Sequence, residues 1–365
     1  MKWKKKLLCG ILCAAQLFCM VPAAFAQQTD TAELTPKATL ERTMGDLRND
    51  PAIQKTGIAL YGNFGEGTSL TRHNYDKQTF GDYVWGENAE ETASALNLAV
   101  KNAEDGVQVT WQVYSPEEIA EDSSLGCVQL YYFPGENPGG KYALVLAGNV
   151  ITISGIITEG MPTVWQLHEM GYTVFLLRYR TWTDLGNDAP IQDLRNAVKF
   201  ITEHAGQFEV QPEDYAVVGY SCGGHLAGLF ANRDYGYGRC GVPKPGALLL
   251  GYPIVNLSVM KPIYHFVYDT TDCSRKYYCL DLYNMVDEDY PPVYFWRGDN
   301  DIISLGSEDM PGQYNAFEDA LKKNGVTYQR VRFKNAPHAC SIGNETDAEG
   351  WLYSAVAFWE AQTQK

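Results

Sequence analysis

From about residue 107 onward the chain alternates short apolar runs with longer amphipathic ones. The short runs fall at 107–114, 127–133, 143–146, 172–177, 215–220, 247–252, 291–297 and 328–333. Several are apolar at nearly every position, as strands are when a parallel sheet is covered on both faces. Helical patterns occupy 160–170, 191–204, 313–323 and 349–361. This alternation predicts an α/β fold, a mostly parallel, doubly wound sheet with helices on both faces. The two earliest runs, 107–114 and 127–133, read as strands that are expected to form an antiparallel edge.

The region ahead of this alternation reads differently. Residues 27–105 mix turn-rich aromatic stretches (Tyr61, Phe64, Tyr75, Tyr83, Trp85) with one helical run at 90–103. They are expected to be an extension that packs on the core formed by 106–365. Residues 1–26 have the three parts of a secretory signal peptide: Lys2, Lys4, Lys5 and Lys6, an apolar stretch at 7–21, and Ala24-Phe25-Ala26 as the cleavage site. The apolar stretch is too short to cross a bilayer comfortably, so no membrane anchor is expected after processing. The expected localisation is secreted or periplasmic, in a bacterium. Without these residues the chain keeps 25 basic and 44 acidic side chains, a net charge of −19. Such a surface disfavours nucleic acid as a partner and suits a neutral small-molecule or polysaccharide ester better than an acidic one.

The candidate chemistry starts at Gly219-Tyr220-Ser221-Cys222-Gly223-Gly224-His225. A G-x-S-x-G pattern marks a nucleophile elbow when a buried strand runs in and a helix runs out. Both flanks are present, Ala216-Val217-Val218 before it and Leu226-Ala227-Gly228-Leu229 after it. The serine then needs a histidine to accept its proton and a carboxylate to orient that histidine. The histidines are His73, His168, His204, His225, His265 and His338. With the order serine, acid, histidine, the choice falls on His338, in a loop after the strand-like run at 328–333. His225, on the elbow helix itself, reads as packing. Asp299 and Asp301 both lie in the polar loop after the run at 291–297. Asp301 is favoured because it lies further into the loop, and burial of Ile302 and Ile303 would hold it still.

The stretch Gly219-Tyr220-Ser221-Cys222-Gly223-Gly224-His225-Leu226-Ala227 resembles the elbow of α/β-hydrolase esterases, especially the bacterial lipase/esterase group that includes acetyl xylan esterases. Tyr179-Arg180, the set Pro190, Asp193 and Ala197, Gly298-Asp299-Asn300-Asp301, and Pro337-His338 are similar to further motifs of that group. The resemblance implies an α/β-hydrolase catalytic domain over 106–365, with Ser221, Asp301 and His338 as its triad. It also implies oxyanion donors at Cys222 and in an earlier loop, at Gly148 or Asn149. The group's glycine-rich turn is replaced here by Ala147-Gly148-Asn149-Val150-Ile151. That departure leaves open a catalytically impaired protein, and a serine peptidase of the prolyl-oligopeptidase kind shares the same core. No cofactor is expected, and no C-x-x-C or H-E-x-x-H pair suggests a metal.

Six cysteines follow residue 26: Cys127, Cys222, Cys240, Cys273, Cys279 and Cys340. Cys273 and Cys279 are close enough to close a small disulfide loop in an exported protein. Cys222 reads as a small packing residue. The segment 255–290 carries many tyrosines, and aromatic faces there would suit a sugar as well as ordinary packing.

Overall fold

The apolar runs at 215–220, 247–252 and 291–297 become strands because burial on two faces rewards an apolar side chain at nearly every position. The computed structural model describes residues 36–61, 75–84, 87–150, 153–181, 188–256, 280–301 and 310–364. The signal-peptide segment, His73, His265, the Cys273–Cys279 pairing and most of the tyrosine-rich segment lie outside them. The described strands are β1 (Thr110–Gln112), β2 (Gln129–Phe133), β3 (Tyr142–Leu146), β4 (Asn149–Val150), β5 (Ile153–Ser154), β6 (Thr173–Arg178), β7 (Ala216–Tyr220), β8 (Ala247–Gly251), β9 (Val293–Gly298) and β10 (Tyr328–Phe333). Eight form one sheet in the order β1-β2-β6-β3-β7-β8-β9-β10. From β6 to β10 all neighbours are parallel, whereas β2 runs antiparallel to both β1 and β6.

The antiparallel edge is therefore present, but shorter than the run at 107–114 suggests. All three β1 residues are only partly buried, and an edge strand has a ladder partner on one side only. β4 and β5 form a separate two-stranded ribbon, Asn149 opposite Ser154, just past the end of β3.

The six longer helices are α1 (Ala89–Glu104), α2 (Met161–Glu169), α3 (Ala189–Glu203), α4 (Ser221–Ala231), α5 (Met310–Lys323) and α6 (Trp351–Thr363). Successive strand side chains point to opposite faces, so the sheet has two cores. On one face Leu144, Phe175, Val217, Leu250 and Phe295 pack with Leu194 and Val198 of α3, Leu226 of α4 and Phe317 of α5. On the other, Val145, Leu176, Val218, Leu249 and Trp296 pack with Leu96 and Val100 of α1, Val164 of α2 and Trp351 of α6. Met44, Leu47 and Ile53, from the short helices Met44–Asn49 and Pro51–Thr56, belong to this second core. Among the described residues no helix is long and apolar enough to cross a membrane.

One buried ion pair fixes the chain where β6 leaves the sheet. Asp193 on α3 is fully buried and accepts from the Arg180 N–H at 2.8 Å, from Arg180 Nη2 at 2.7 Å and from the Tyr114 hydroxyl at 2.7 Å. This holds Tyr179, the preceding residue, against the loop after β3. Removing one member of such a pair strands the other in a dry site. Asp193→Ala should therefore lose roughly 3–5 kcal/mol of stability, read by equilibrium urea unfolding; a loss under about 1 kcal/mol would mean that water or a neighbour compensates Arg180.

Candidate active site

The five side chains of interest all sit at carboxyl ends of strands, the edge where ligands of open α/β sheets bind. Ser221 follows β7, Asp301 follows β9, His338 follows β10, Asn149 follows β3 and Tyr252 follows β8. β7 runs into α4 with no intervening loop, and Ser221 makes the turn at φ +50°. That left-handed backbone is uncommon for a residue with a Cβ. Close approach of neighbouring backbone enforces it. A Cβ on Gly223 would lie 2.3 Å from the Leu146 carbonyl oxygen and 2.6 Å from that of Ala147, and one on Gly219 would lie 2.8 Å from Gly224 Cα. The Ser221 carbonyl is tied in turn by the Ile254 N–H at 3.0 Å.

The structure brings Ser221, His338 and Asp301 into one hydrogen-bonded line. His338 Nε2 lies 2.9 Å from Ser221 Oγ, and His338 Nδ1 lies 2.7 Å from Asp301 Oδ2. Asp301 is 1% exposed and Ser221 7%, and the His338 side chain keeps 11% of its surface, so the acid end of the line is the dry one. The Tyr252 ring flanks the imidazole, its centroid 4.8 Å away.

Asp299 lies elsewhere, bonded to Arg332 Nε at 2.5 Å and 3.3 Å from Arg297 Nη1. The Arg332 hydrogen bond holds its carboxyl below the usual range. His225 is buried on α4 with Nδ1 2.8 Å from the Ile254 carbonyl oxygen, which pins the elbow against the loop after β8.

The structure separates the three residues expected to supply oxyanion amides. Cys222 is the second residue of α4, in the first turn, where an N–H has no intrahelical acceptor. Asn149 is 5% exposed, and its backbone N–H faces the Cys222 thiol, a weak acceptor. Gly148 requires a correction. Its N–H donates to Glu159 Oε2 at 2.7 Å, and its carbonyl accepts from the Gly155 N–H at 2.8 Å, so its N–H is consumed inside the fold. The Asn149 side chain donates to the Tyr179 hydroxyl at 2.9 Å, and that hydroxyl donates to the Ala147 carbonyl at 2.7 Å.

Two residues of this site escaped the sequence reading. Glu159 is 4% exposed and also accepts from the Tyr252 hydroxyl, at Oε1, 2.8 Å away. Burial pushes its carboxyl up, while the Tyr252 hydroxyl, His338 and the Gly148 N–H oppose that rise. Tyr252 lies at φ +36°, and its hydroxyl accepts from the Ser341 N–H at 2.8 Å. An acid between Ile156-Ile157 and Met161-Pro162 was the available signal, since a lone carboxylate in an apolar stretch is rarely buried without a partner.

The arrangement suits acyl transfer: an activated hydroxyl, a base within reach, a carboxylate that fixes the base, and two amides beside the serine. Among the described residues no cluster of three or more His, Cys, Asp or Glu side chains is placed to hold a metal ion.

With the geometry in view, comparison with known proteins adds the following. A family model described as BD-FAE matches residues 155–235, which includes the elbow. Endo-1,4-beta-xylanase B of Butyrivibrio fibrisolvens is 21% identical over 235 residues, 59% of this chain and 33% of that protein. An acetylxylan esterase of Xylanibacter ruminicola is 24% identical over 135 residues, 37% of this chain and 27% of that protein. The chain thus spans about a third or less of the length of these curated relatives. Among solved structures, an acetyl ester-xyloside bifunctional hydrolase from Caldicellulosiruptor lactoaceticus superposes with a TM-score of 0.59 at 20% identity, covering 69% of this chain and 95% of that one. The fold is the α/β-hydrolase fold, and the chain resembles the acetyl xylan esterases of that fold.

Cys222 and Cys340 border the site, and burial pushes each thiol up to about 12. Both stay protonated at neutral pH, so neither is poised to act as a nucleophile. In the folded protein at pH 7.5, Cys222 and Cys340 should resist maleimide and react only after denaturation, as read by peptide mass spectrometry; rapid native labelling of Cys222 would mean that the elbow opens.

Proposed function

We propose that the protein is an exported carboxylic ester hydrolase that removes short acyl groups, acetyl first among them, from carbohydrates. The observation that carries this reading is the hydrogen-bonded line from Asp301 through His338 to Ser221. Ser221 Oγ attacks the ester carbonyl while its proton passes to His338 Nε2, and Asp301 holds the imidazole with Nδ1–H toward the carboxylate. The carbonyl oxygen becomes an oxyanion between the Cys222 and Asn149 N–H groups. His338 then protonates the leaving alcohol, and water repeats the sequence to release the acid.

The likeness to an acetylxylan esterase supports the substrate class. The likeness to a protein named as a xylanase covers a third of that protein and does not make glycosidic cleavage the reading here. Glycosidic cleavage uses two carboxylates facing the scissile bond, whereas here the one carboxylate in the line, Asp301, is spent on the histidine. Export rests on residues 1–26, whose basic, apolar and small-residue parts follow the order of a signal peptide. The acidic balance of the remaining chain fits a neutral polysaccharide ester.

The test compares wild type with Ser221→Ala and His338→Ala on p-nitrophenyl acetate, acetylated xylan and a prolyl anilide. Each variant should lose on the order of a thousandfold or more in kcat on the esters, because the two residues act as a unit. Equal ester rates in wild type and Ser221→Ala would refute the nucleophile. Cleavage of the anilide without the esters would make the protein a peptidase.

A further inference from the structure

The reactive line leaves one buried ionisable group unexplained, and its two hydrogen bonds point at both halves of the site. Glu159 Oε2 accepts from the Gly148 N–H at 2.7 Å, one residue before the proposed oxyanion donor Asn149. Glu159 Oε1 accepts from the Tyr252 hydroxyl at 2.8 Å, and that hydroxyl accepts from the Ser341 N–H at 2.8 Å, three residues after the proposed base. The Glu159 carbonyl accepts from Ser341 Oγ at 2.9 Å. Space around the carboxylate is tight. A Cβ on Gly148 would come within 2.8 Å of Glu159 Oε2 and 3.0 Å of Ser221 Cβ, and one on Gly155 would come within 2.6 Å of the same oxygen.

Resting on the reading of Ser221 as nucleophile, we infer that Glu159 is the positioning residue of the oxyanion site: it holds the Gly148 peptide so that the Asn149 N–H faces the serine, and braces that loop through Tyr252 against the base loop at Ser341. The physical need is specific to this chain. A glycine-rich turn can be shaped by its own backbone, but here Asn149 enters the β4 ribbon directly, and the loop between the end of β3 and that ribbon is set by side chains. Tyr179 ties it from one side through Ala147 and Asn149. Glu159 ties it from the other through Gly148. An oxyanion donor works only when it is aimed before charge develops.

This role differs from that of an ordinary buried carboxylate in what it changes. The donors on Glu159 do not touch substrate, so its loss should lower kcat and leave KM within about threefold. The ionisable groups that face it are His338, Tyr252, Cys340, Cys222, Tyr220 and Tyr179. None is a cation unless His338 becomes protonated, so the hydrogen bonds to Gly148 and Tyr252 are what hold the carboxylate in place.

The experiment measures two quantities on the full-length protein: kcat and KM for p-nitrophenyl acetate, and the second-order rate of Ser221 labelling by a fluorophosphonate, whose phosphoryl oxygen occupies the oxyanion position. Glu159→Ala should lower both kcat and the labelling rate on the order of a hundredfold, the usual cost of one oxyanion donor. Glu159→Gln, which still offers an acceptor to Gly148, should recover to within about tenfold of wild type. Tyr252→Phe keeps the ring beside His338 and removes only the brace; it should slow labelling severalfold, and it serves as the test if Glu159→Ala does not fold. Wild-type labelling by Glu159→Ala or by Tyr252→Phe would overturn the inference, as would a Gln variant as slow as the Ala variant. The two readings fail separately. A wild-type protein whose Ser221 never reacts refutes the nucleophile assignment, whereas a reactive wild type with unchanged variants refutes the role of Glu159 alone.

Discussion

The structure around the site depends on a backbone crossing with no space for a side chain. β7 ends at Tyr220 and α4 begins at Ser221, so the chain must turn within one residue while α4 passes over the end of β3. Gly223 permits that passage, because a Cβ there would overlap the Leu146 and Ala147 carbonyl oxygens. The same contact seats the proposed nucleophile beside the loop that carries Asn149. The contact of Ser221 with His338 and its left-handed backbone both hang on that crossing.

Strain is concentrated at this edge. Ser221, Tyr252, Ala339 and Ser341 all have positive φ, at +50°, +36°, +64° and +52°. Each such position costs on the order of 1–3 kcal/mol and persists only when its surroundings over-determine it. The surroundings here do so. Tyr252 N–H donates to the Trp296 carbonyl at 2.9 Å, its hydroxyl bridges Glu159 and Ser341, and Ser341 is held further by Trp351 Nε1 at 2.9 Å from its carbonyl. Trp296 and Trp351 are themselves anchors of the second core. Hydrophobic burial under the sheet thus stabilises a set of conformations above it that the local sequence would not choose.

Which parts could be read from the sequence follows from the range of the interactions. Strands β3, β6, β7, β8 and β9 announce themselves because burial on both faces leaves a nearly unbroken apolar run, whereas β10, at the sheet edge, mixes Gln329, Arg330 and Arg332 with its apolar residues and is only partly buried. The elbow is local as well, with its glycines within four residues of one another. The local argument for Asp301 over Asp299 rests on Ile302 and Ile303, which lie outside the described residues; the structure parts the two acids by a distant residue, since Asp299 meets Arg332, 33 positions later, while Asp301 meets His338. The reading failed where a hydrogen bond crosses a long stretch of chain. The resemblance offers Gly148 as a donor, but its N–H is taken by a side chain 11 residues on. Glu159 and Tyr252 are 93 residues apart, and neither belongs to a motif. The apolar residues on either side of Glu159 hint at its burial, but nothing local names the partners it meets once the fold closes around it.

The altered loop after β3 is therefore less a loss than a change in what supplies rigidity. A run of glycines leaves the backbone to find its own shape and carries a high entropic cost of ordering. Asn149 carries its own anchor, since its side-chain amide reaches the Tyr179 hydroxyl, and that hydroxyl returns to the Ala147 carbonyl. Tyr179 is in turn fixed by its neighbour Arg180, locked onto Asp193 in the interior. On the opposite side Glu159 secures Gly148. The loop is held at three consecutive residues by side chains from β5–α2, from the end of β6 and from itself. Donors held this way need no reorganisation when charge appears on a bound oxygen, which is the condition that makes an amide useful in acyl transfer. The same bonds explain why a carboxylate is tolerated in so dry a position: its two oxygens accept from the Gly148 N–H and the Tyr252 hydroxyl, and a buried carboxyl persists only where it is hydrogen-bonded in this way.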